Sequence, residues 1–383
     1  MEPVKHERLE SLDILRGFDM FFIFLPDPVP CIVLTFCAMM GWEHSAFAAQ
    51  FDHCAWNGLR FYDCIFPLFL FISGVTFPFS YAKQVARGMT RVQSVRKVLV
   101  RAFLLVLLGS MLWTTIDGVV EKNLLSFEWS TFRVWSVIGR IGLAWGAAAM
   151  FYMFFGRRTR IGIVAAILIG MWLFMRFAVA SGAPAGVNPL VERQWMLADW
   201  IDIHYLTTAH RGEGGVSTIT MVATAMFGMF AGEILLGVDD RCRCTKAVRL
   251  LLFAALLAAF GLLLAFGFGS WSIPANKPIW SSSFALVAGG ISAALLALFY
   301  WIVDVRGWRR WGFFFKVIGM NAITIYLLMR TVFNWNFESV YFFGGICRFL
   351  SPEVGAFVTQ AGMIALGWLF LYWLYRRNIF LRV

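Results

Sequence analysis

Ten long apolar segments decide what this chain of 383 residues can fold into. A bilayer core of about 30 Å needs about 20 apolar residues per helix, or somewhat fewer where the helix is buried. Hydrophobic residues make up 60% of the chain and charged residues 14%, whereas soluble domains have about 45–50% and about 25%. We therefore expect an all-α polytopic membrane bundle. The segments cover residues 12–26, 60–82, 97–117, 134–156, 161–181, 216–237, 248–269, 282–304, 313–333 and 354–375.

Lysine and arginine are concentrated in alternate breaks between these segments. Because cytoplasmic loops are enriched in basic residues, the alternation predicts that both termini face the cytoplasm, with ten helices between them. The net charge of +11 is then explained as loop charge, and no nucleic-acid partner is expected. The sequence predicts one domain over residues 1–383, with two long outer connections, 27–59 and 182–215.

The outer end of the first apolar segment carries a carboxylate. Asp27 follows Pro26, and a proline stops a helix because it has no backbone donor. A carboxylate at that depth is costly and normally faces a cavity or a partner. Asp27 is therefore a candidate catalytic residue, and capping of the broken helix end is the alternative.

A polar stretch at the end of the first outer connection holds the candidate base. His53 lies just before the second apolar segment, and histidine is the usual general base for activating an amine or a hydroxyl. Asn57, four residues later, is a candidate acceptor-binding residue. On chemistry alone, His53 can also be an ordinary surface histidine.

Two charged residues lie inside or beside apolar segments. Asp63 precedes Pro67 by four residues, so we expect the second helix to bend at Pro67 and to open space beside the carboxylate. Arg140 lies within the fourth segment, where an arginine needs a buried carboxylate as its partner. Asp63 is the expected partner, and the pair can be either a binding feature or a structural ion pair.

The second outer connection combines carboxylates with aromatic residues. Asp202 and Glu213 share it with Trp200 and Tyr205. Such a composition can bind a sugar, with rings against the pyranose face, or it can form an interfacial aromatic belt. The histidines and cysteines of the chain show no metal-ligand spacing, so no metal is expected.

Seven stretches, in order, resemble the heparan-α-glucosaminide N-acetyltransferase family and its bacterial relatives. They include the first-helix signature at residues 8–17 and a segment at 53–67 that is similar to the family's "HASWNGL…ADLVFP". Together they cover nearly the whole chain. The other five stretches are residues 138–142, 212–218, 276–281, 303–307 and 319–323.

The resemblance implies transfer of an acetyl group from cytosolic acetyl-CoA to a terminal glucosamine amine on the far side of the membrane. It also implies an essential histidine, which maps onto His53, and a cavity asparagine that aligns with Asp27. That replacement matters because a carboxylate can ionise and cannot donate as an amide does. The expected setting is a bacterial plasma (inner) membrane, for a relative without the luminal domain of the animal enzyme.

These observations lead to one hypothesis. His53 acts as general base or acetyl relay with Asp27, and the acceptor, an amino sugar or oligosaccharide, binds at Asn57, Asp63, Asp202 and Glu213. Acetyl-CoA is the donor, and membrane lipid and a homodimer are further possible contacts. The alternatives are an O-acetyltransferase of envelope polysaccharide and a secondary transporter. The expected residues along the donor's route are Arg140, Lys277 and Asn321.

Overall fold

The fold is all-α in a computed structural model that describes residues 9–23, 28–119, 134–206, 214–237, 243–331 and 335–381. Within these ranges the sole β-type pairing is an isolated bridge between Val179 and Met196. The expected all-α class is therefore confirmed for the described residues. The helices are α1 (Glu10–Phe22), α2 (Pro28–Met39), α3 (Ile65–Ala86), α4 (Arg91–Val119), α5 (Val137–Phe154), α6 (Arg157–Phe177), α7 (Leu197–Tyr205), α8 (Ser217–Leu236), α9 (Arg243–Phe266), α10 (Ser282–Tyr300), α11 (Phe313–Met320), α12 (Ala322–Thr331), α13 (Trp335–Cys347) and α14 (Pro352–Arg376).

Seven helical stretches of the described residues are long and apolar enough to cross a membrane. Each corresponds to one of the ten predicted segments, whereas the count of ten and the side on which the termini lie stay predictions. The seven stretches are Phe61–Ala86, Val137–Phe154, Arg157–Phe177, Ser217–Leu236, Arg243–Phe266, Ser282–Val305 and Pro352–Arg376.

The structure differs from the expected segments in several places. α1 ends at Phe22, and the ninth segment is divided into α11 and α12 at Asn321, whose φ of −126° leaves the helical region. The outer connections, expected as loops, contain α2 and α7, and α13 was not predicted at all. α2 begins at Pro28. Proline is favourable at the first helical position, because an N–H group at that position has no partner within the helix and its absence costs no hydrogen bond.

The sequence predicted that Pro67 bends the second helix in its middle, and this prediction is wrong. A 3₁₀ turn at Phe61–Cys64 leads into α3, which begins at Ile65. Pro67 therefore lies in the first turn of α3, where its missing N–H costs no hydrogen bond. The carboxylate of Asp63 is placed by the 3₁₀ turn instead.

Contacts between Cα atoms divide the chain into two compact units. The first unit comprises residues 1–52, 238–252 and 293–382, and the second comprises residues 53–237, 253–292 and 383. In the first unit α1 packs on α11, and α14 packs on α2 and α13. A Cβ at Gly17 would overlap the carbonyl oxygen of Phe315, so the α1 and α11 backbones approach closely, as small residues allow between membrane helices.

The second unit is built on the contact between α3 and α8. A Cβ at Gly74 would overlap the carbonyl oxygen of Ala225, and one at Gly228 would overlap that of Phe71. These glycines let the two backbones touch. In lipid the hydrophobic effect does not drive helices together, so close packing of this kind supplies the attraction between them. α5 packs on both α4 and α8.

We predict that Gly228→Ala destabilises the second unit. The added methyl group must displace the backbone of α3, and overpacking of this kind costs about 1–3 kcal/mol. Gly170→Ala is the matched control, because Gly170 is exposed on α6 with no atom near the added Cβ. Thermal unfolding in detergent should show a lower melting temperature for Gly228→Ala alone. Equal melting temperatures for the two variants would contradict the close approach.

Candidate functional site

The carboxylate of Asp63 organises the loop that carries His53. Its Oδ2 atom accepts hydrogen bonds from the backbone N–H groups of Cys54, at 3.3 Å, and Arg60, at 3.2 Å. Its Oδ1 atom lies 2.7 Å from Nδ1 of His53. Only 1% of the Asp63 side chain is exposed. The loop is therefore folded around one buried charge, and the imidazole is one of its partners.

The bond to Asp63 determines which nitrogen of His53 can act as a base. A carboxylate only accepts hydrogen bonds, so Nδ1 carries the proton and Nε2 presents a lone pair. The His53 side chain is 51% exposed, and its ring lies 4.7 Å from that of Tyr62. The Arg60 guanidinium donates to the His53 carbonyl oxygen at 2.9 Å. The side chain and the backbone of His53 are thus both held in place.

Lys277 completes this group from a distant part of the sequence. Its Nζ atom lies 3.5 Å from Oδ1 of Asp63, 3.2 Å from Nδ1 of His53 and 3.5 Å from Nε2. Its side chain is 12% exposed. Because Nδ1 already donates to Asp63, the ammonium lies beside the ring as a charge and donates towards the carboxylate. We call Asp63, His53 and Lys277 the charged triad.

Asn57 ties three segments of the second unit together. Its Oδ1 atom accepts from Nδ2 of Asn276 at 3.1 Å, and its Nδ2 donates to the carbonyl oxygen of Leu190 at 3.2 Å. Trp56 Nε1 donates to the same carbonyl at 3.0 Å. Asn276 is the neighbour of Lys277, so these bonds fix the lysine segment against the His53 loop. Both ends of the Asn57 amide are engaged in this tie.

A tight turn precedes α10 and positions Lys277. The Oδ1 atom of Asn276 accepts from the backbone N–H of Ile279 at 3.2 Å. Trp280 has a φ of 51°, which is strained for a bulky residue. Its indole N–H donates to Thr224 on α8 at 3.0 Å, and its ring is buried. The strain is thus held by packing, as is typical of functional sites.

Arg140 does not pair with Asp63, contrary to the sequence-based expectation. Asp63 pairs with His53 and Lys277, whereas the buried Arg140 guanidinium donates to Oγ of Ser217 at 3.3 Å. It also lies 5.3 Å from the ring of Phe66. The charge of Arg140 therefore acts at the start of α8 rather than at the charged triad.

Asp202 is also engaged at the start of α8. Its Oδ1 atom accepts from the backbone N–H of Val216 at 3.1 Å, and the residue is 5% exposed. Burial raises the pKa of the Asp202 carboxyl, and the nearby Asp199 carboxylate raises it further. Hydrogen bonds from backbone N–H groups at the start of α8 lower the pKa of Asp202, but by less than burial and Asp199 raise it.

Of the three remaining predicted site residues, the structure describes one. Asn321 is buried in the first unit, where its Oδ1 atom accepts from Thr324 Oγ1 at 3.3 Å. Asp27 and Glu213 lie outside the described residues. The sequence did not indicate the tie through Asn276 and Leu190, because these partners are more than a hundred positions from Asn57. Asp63 accepts from the backbone N–H of Arg60 as the third residue of a capping box does, but such a box begins with serine or threonine, so the sequence carried no signal of the loop closure.

We predict that Asp202→Asn alters how stability depends on pH. When folding raises the pKa of a carboxyl group, its ionised form is less favourable in the folded protein than in the unfolded chain. The free energy of unfolding should therefore fall as the pH rises from the ordinary aspartate range through the raised pKa of Asp202. Asn keeps an acceptor for Val216 and should remove this part of the fall. Unfolding measured across acidic to neutral pH should show a flatter profile for the variant, and identical profiles would contradict it.

The chain is similar to two curated enzymes over much of its length. It is 25% identical to the heparan-alpha-glucosaminide N-acetyltransferase of Homo sapiens over 430 positions, which cover 98% of this chain and 60% of the relative. It is 26% identical to the Mus musculus protein of the same name over 339 positions, which cover 74% of this chain and 50% of the relative.

This chain thus spans about 50–60% of the length of these relatives. No protein-family model matches it. The stretches that carry the resemblance are distributed along the chain, as is the similarity to the two enzymes. The predicted resemblance to the heparan-α-glucosaminide N-acetyltransferases is therefore confirmed over most of this chain.

Proposed function

We propose that this chain is a transmembrane acetyltransferase that moves an acetyl group from acetyl-CoA to an amino sugar. The apolar helices and the named relatives support the class of protein. The observation that carries the proposal is the 2.7 Å bond between Nδ1 of His53 and buried Asp63. It orients Nε2 of a half-exposed imidazole as a base, which an acyl transfer to an amine requires.

The proposed reaction proceeds from the geometry of the charged triad. The acceptor nitrogen attacks the thioester carbonyl carbon while Nε2 of His53 takes its proton. The tetrahedral intermediate then collapses, the C–S bond breaks, and the thiolate of CoA leaves and receives that proton. Asp63 stabilises the imidazolium that forms in between, as the carboxylate of a serine-protease triad does. A relay in which Nε2 is itself acetylated would use the same nitrogen.

The remaining assignments follow the charge pattern and the residues' contacts. We propose that the donor binds from the cytoplasmic side, where the basic connections are expected, with Arg140 along its route. The acceptor is proposed to bind on the outer side, and the roles of Asn321, Asp27 and Glu213 stay sequence-based predictions. Because the side chains of Asn57 and Asp202 are engaged in structural bonds, we propose that they shape the site rather than contact the sugar. A bacterial plasma membrane is the proposed location.

His53→Ala should abolish acetyl transfer. Loss of a general base typically costs about 10²–10⁴-fold in rate, and a relay mechanism would lose all transfer. The measurement is the transfer of labelled acetyl from acetyl-CoA to glucosamine by purified protein in detergent. His44→Ala is the matched control, because His44 is exposed in the same outer connection and should keep full activity. A folded His53→Ala protein with wild-type transfer would remove His53 from the mechanism.

Two further measurements separate the alternative functions. Mass spectrometry of the product distinguishes an amide, expected here, from the ester that an O-acetyltransferase would make. Proteoliposomes that accumulate glucosamine without consuming acetyl-CoA would instead indicate a transporter. Either result would contradict the proposed N-acetyl transfer.

Asp63→Asn should lower kcat while leaving the loop largely folded. The amide oxygen can still accept from the backbone, but an amide N–H facing Nδ1 favours the wrong tautomer of His53 and removes the charge that stabilises imidazolium. The expected loss is about 10²–10⁴-fold in kcat, with the melting temperature measured alongside. Unchanged kcat in a folded variant would show that Asp63 does not orient the base.

A further inference from the structure

We propose that Lys277 is a catalytic residue whose ammonium stabilises the oxyanion formed on the thioester carbonyl. This inference rests on the proposed function and deepens it. It differs from the expectation that Lys277 holds the donor, because the lysine contacts the base and its carboxylate. The relevant geometry involves only residues of the second unit.

The position of the ammonium is the first argument. If Lys277 only neutralised Asp63, Nζ would lie closest to the carboxylate. Instead, it is 3.2 Å from Nδ1 of His53 and 3.5 Å from Oδ1 of Asp63. It is also 3.5 Å from Nε2, the nitrogen that takes the acceptor's proton. The ammonium thus lies beside both ring nitrogens, within 3.5 Å of the one that reacts.

The charges during the reaction supply the second argument. At rest the carboxylate of Asp63 and the ammonium of Lys277 balance each other beside a neutral ring. Proton transfer places a positive charge on His53, which the ammonium at 3.2–3.5 Å repels. That repulsion is offset when a negative charge forms next to both cations. The oxyanion of the tetrahedral intermediate is the negative charge that appears at that moment.

The distances allow this contact. An acceptor that is hydrogen-bonded to Nε2 lies about 3 Å from it, and the attacked carbonyl carbon lies about 3 Å from the acceptor. The carbonyl oxygen meets the ammonium when the thioester carbonyl turns back over the imidazole ring, because Nζ lies 3.2 Å from Nδ1 and 3.5 Å from Nε2 and an N–H···O bond spans about 2.8 Å. Lysine carries three donors, so one can remain with Asp63 while another meets the oxyanion. Lys277 keeps its proton throughout the reaction, and the acceptor's proton passes through His53 to the thiolate of CoA.

The pair with Asp63 keeps Lys277 in place in the absence of substrate. Its side chain is mostly buried, and the neighbouring Asn276 is tied to Asn57 at 3.1 Å. An oxyanion contact that is already in position before the substrate binds costs no reorganisation during the reaction, which is the usual basis of such stabilisation.

Substitution of Lys277 tests the proposal. Lys277→Met removes the charge at similar volume, and Lys277→Arg keeps a cation with N–H donors. Transfer of labelled acetyl from acetyl-CoA to glucosamine should fall about 10²–10³-fold in kcat for Lys277→Met, with partial activity in Lys277→Arg. The dissociation constant of acetyl-CoA should stay within about threefold of the wild type, because the thioester group adds little to the binding of the whole donor.

Chemical rescue separates catalysis from a structural role. In Lys277→Ala, added methylammonium should raise transfer by about tenfold or more, because it supplies N–H donors to the oxyanion. Tetramethylammonium carries the same charge without N–H groups and should not. Labelled N-acetylglucosamine must be the product that is counted, since methylamine can itself accept acetyl. If Lys277→Ala does not fold, the same two cations are added to Lys277→Met.

Four results would overturn the inference. The first is wild-type kcat in a folded Lys277→Met protein. The second is weaker acetyl-CoA binding with an unchanged kcat at saturation, which would assign Lys277 to donor binding. The third is failure of methylammonium to exceed tetramethylammonium in a folded variant. Finally, a wild-type protein that transfers no acetyl would overturn the proposed function and this inference together, whereas the first three results leave the proposed function intact.

Discussion

The geometry of the site depends on one buried carboxylate. Asp63 is almost fully removed from solvent, and a buried charge is costly unless it is paired and hydrogen-bonded. Its two oxygens meet that demand with two backbone N–H groups, an imidazole and an ammonium. The need to satisfy Asp63 therefore closes the loop, selects the tautomer of His53 and keeps Lys277 beside the ring. A single electrostatic requirement thus accounts for the loop conformation, the tautomer of His53 and the position of Lys277.

Packing in the second unit keeps these groups in register. The 3₁₀ turn that carries Asp63 continues into α3, and α3 is pressed onto α8 through Gly74 and Gly228. α8 in turn anchors the indole of Trp280, three residues after Lys277, through Thr224. A rigid helix pair thus supports both sides of the site, while the reactive residues lie on the short connections between helices, where functional groups usually lie.

Apolar length and charge could be predicted from the sequence, and long-range pairing could not. Seven of the apolar segments are membrane-length helices in the part of the chain that the structure describes, but nothing in hydropathy reveals the break at Asn321 or the short helix α13. The choice of His53 and Asp63 depended on motifs and on charge in apolar surroundings, which are local features. Lys277 was singled out as well, but its contact with His53 was not expected, because 224 positions separate the two residues. Arg140 was paired with Asp63 because both lie in apolar segments, whereas helix packing places Arg140 at Ser217.

Ion pairing by itself does not distinguish a functional site in this unit. Arg160 and Glu233 are 2.6 Å apart, with the guanidinium stacked 4.3 Å from the ring of Tyr152, and this pair can be explained entirely as the neutralisation of a buried charge. The charged triad differs because an imidazole contacts both charges and half of its surface remains exposed. A purely structural pair has no use for such a group, since Lys277 and Asp63 already contact each other directly. An exposed base beside two opposite charges is what a reaction that separates charge requires, because the site can then accept a new positive and a new negative charge without changing its net charge.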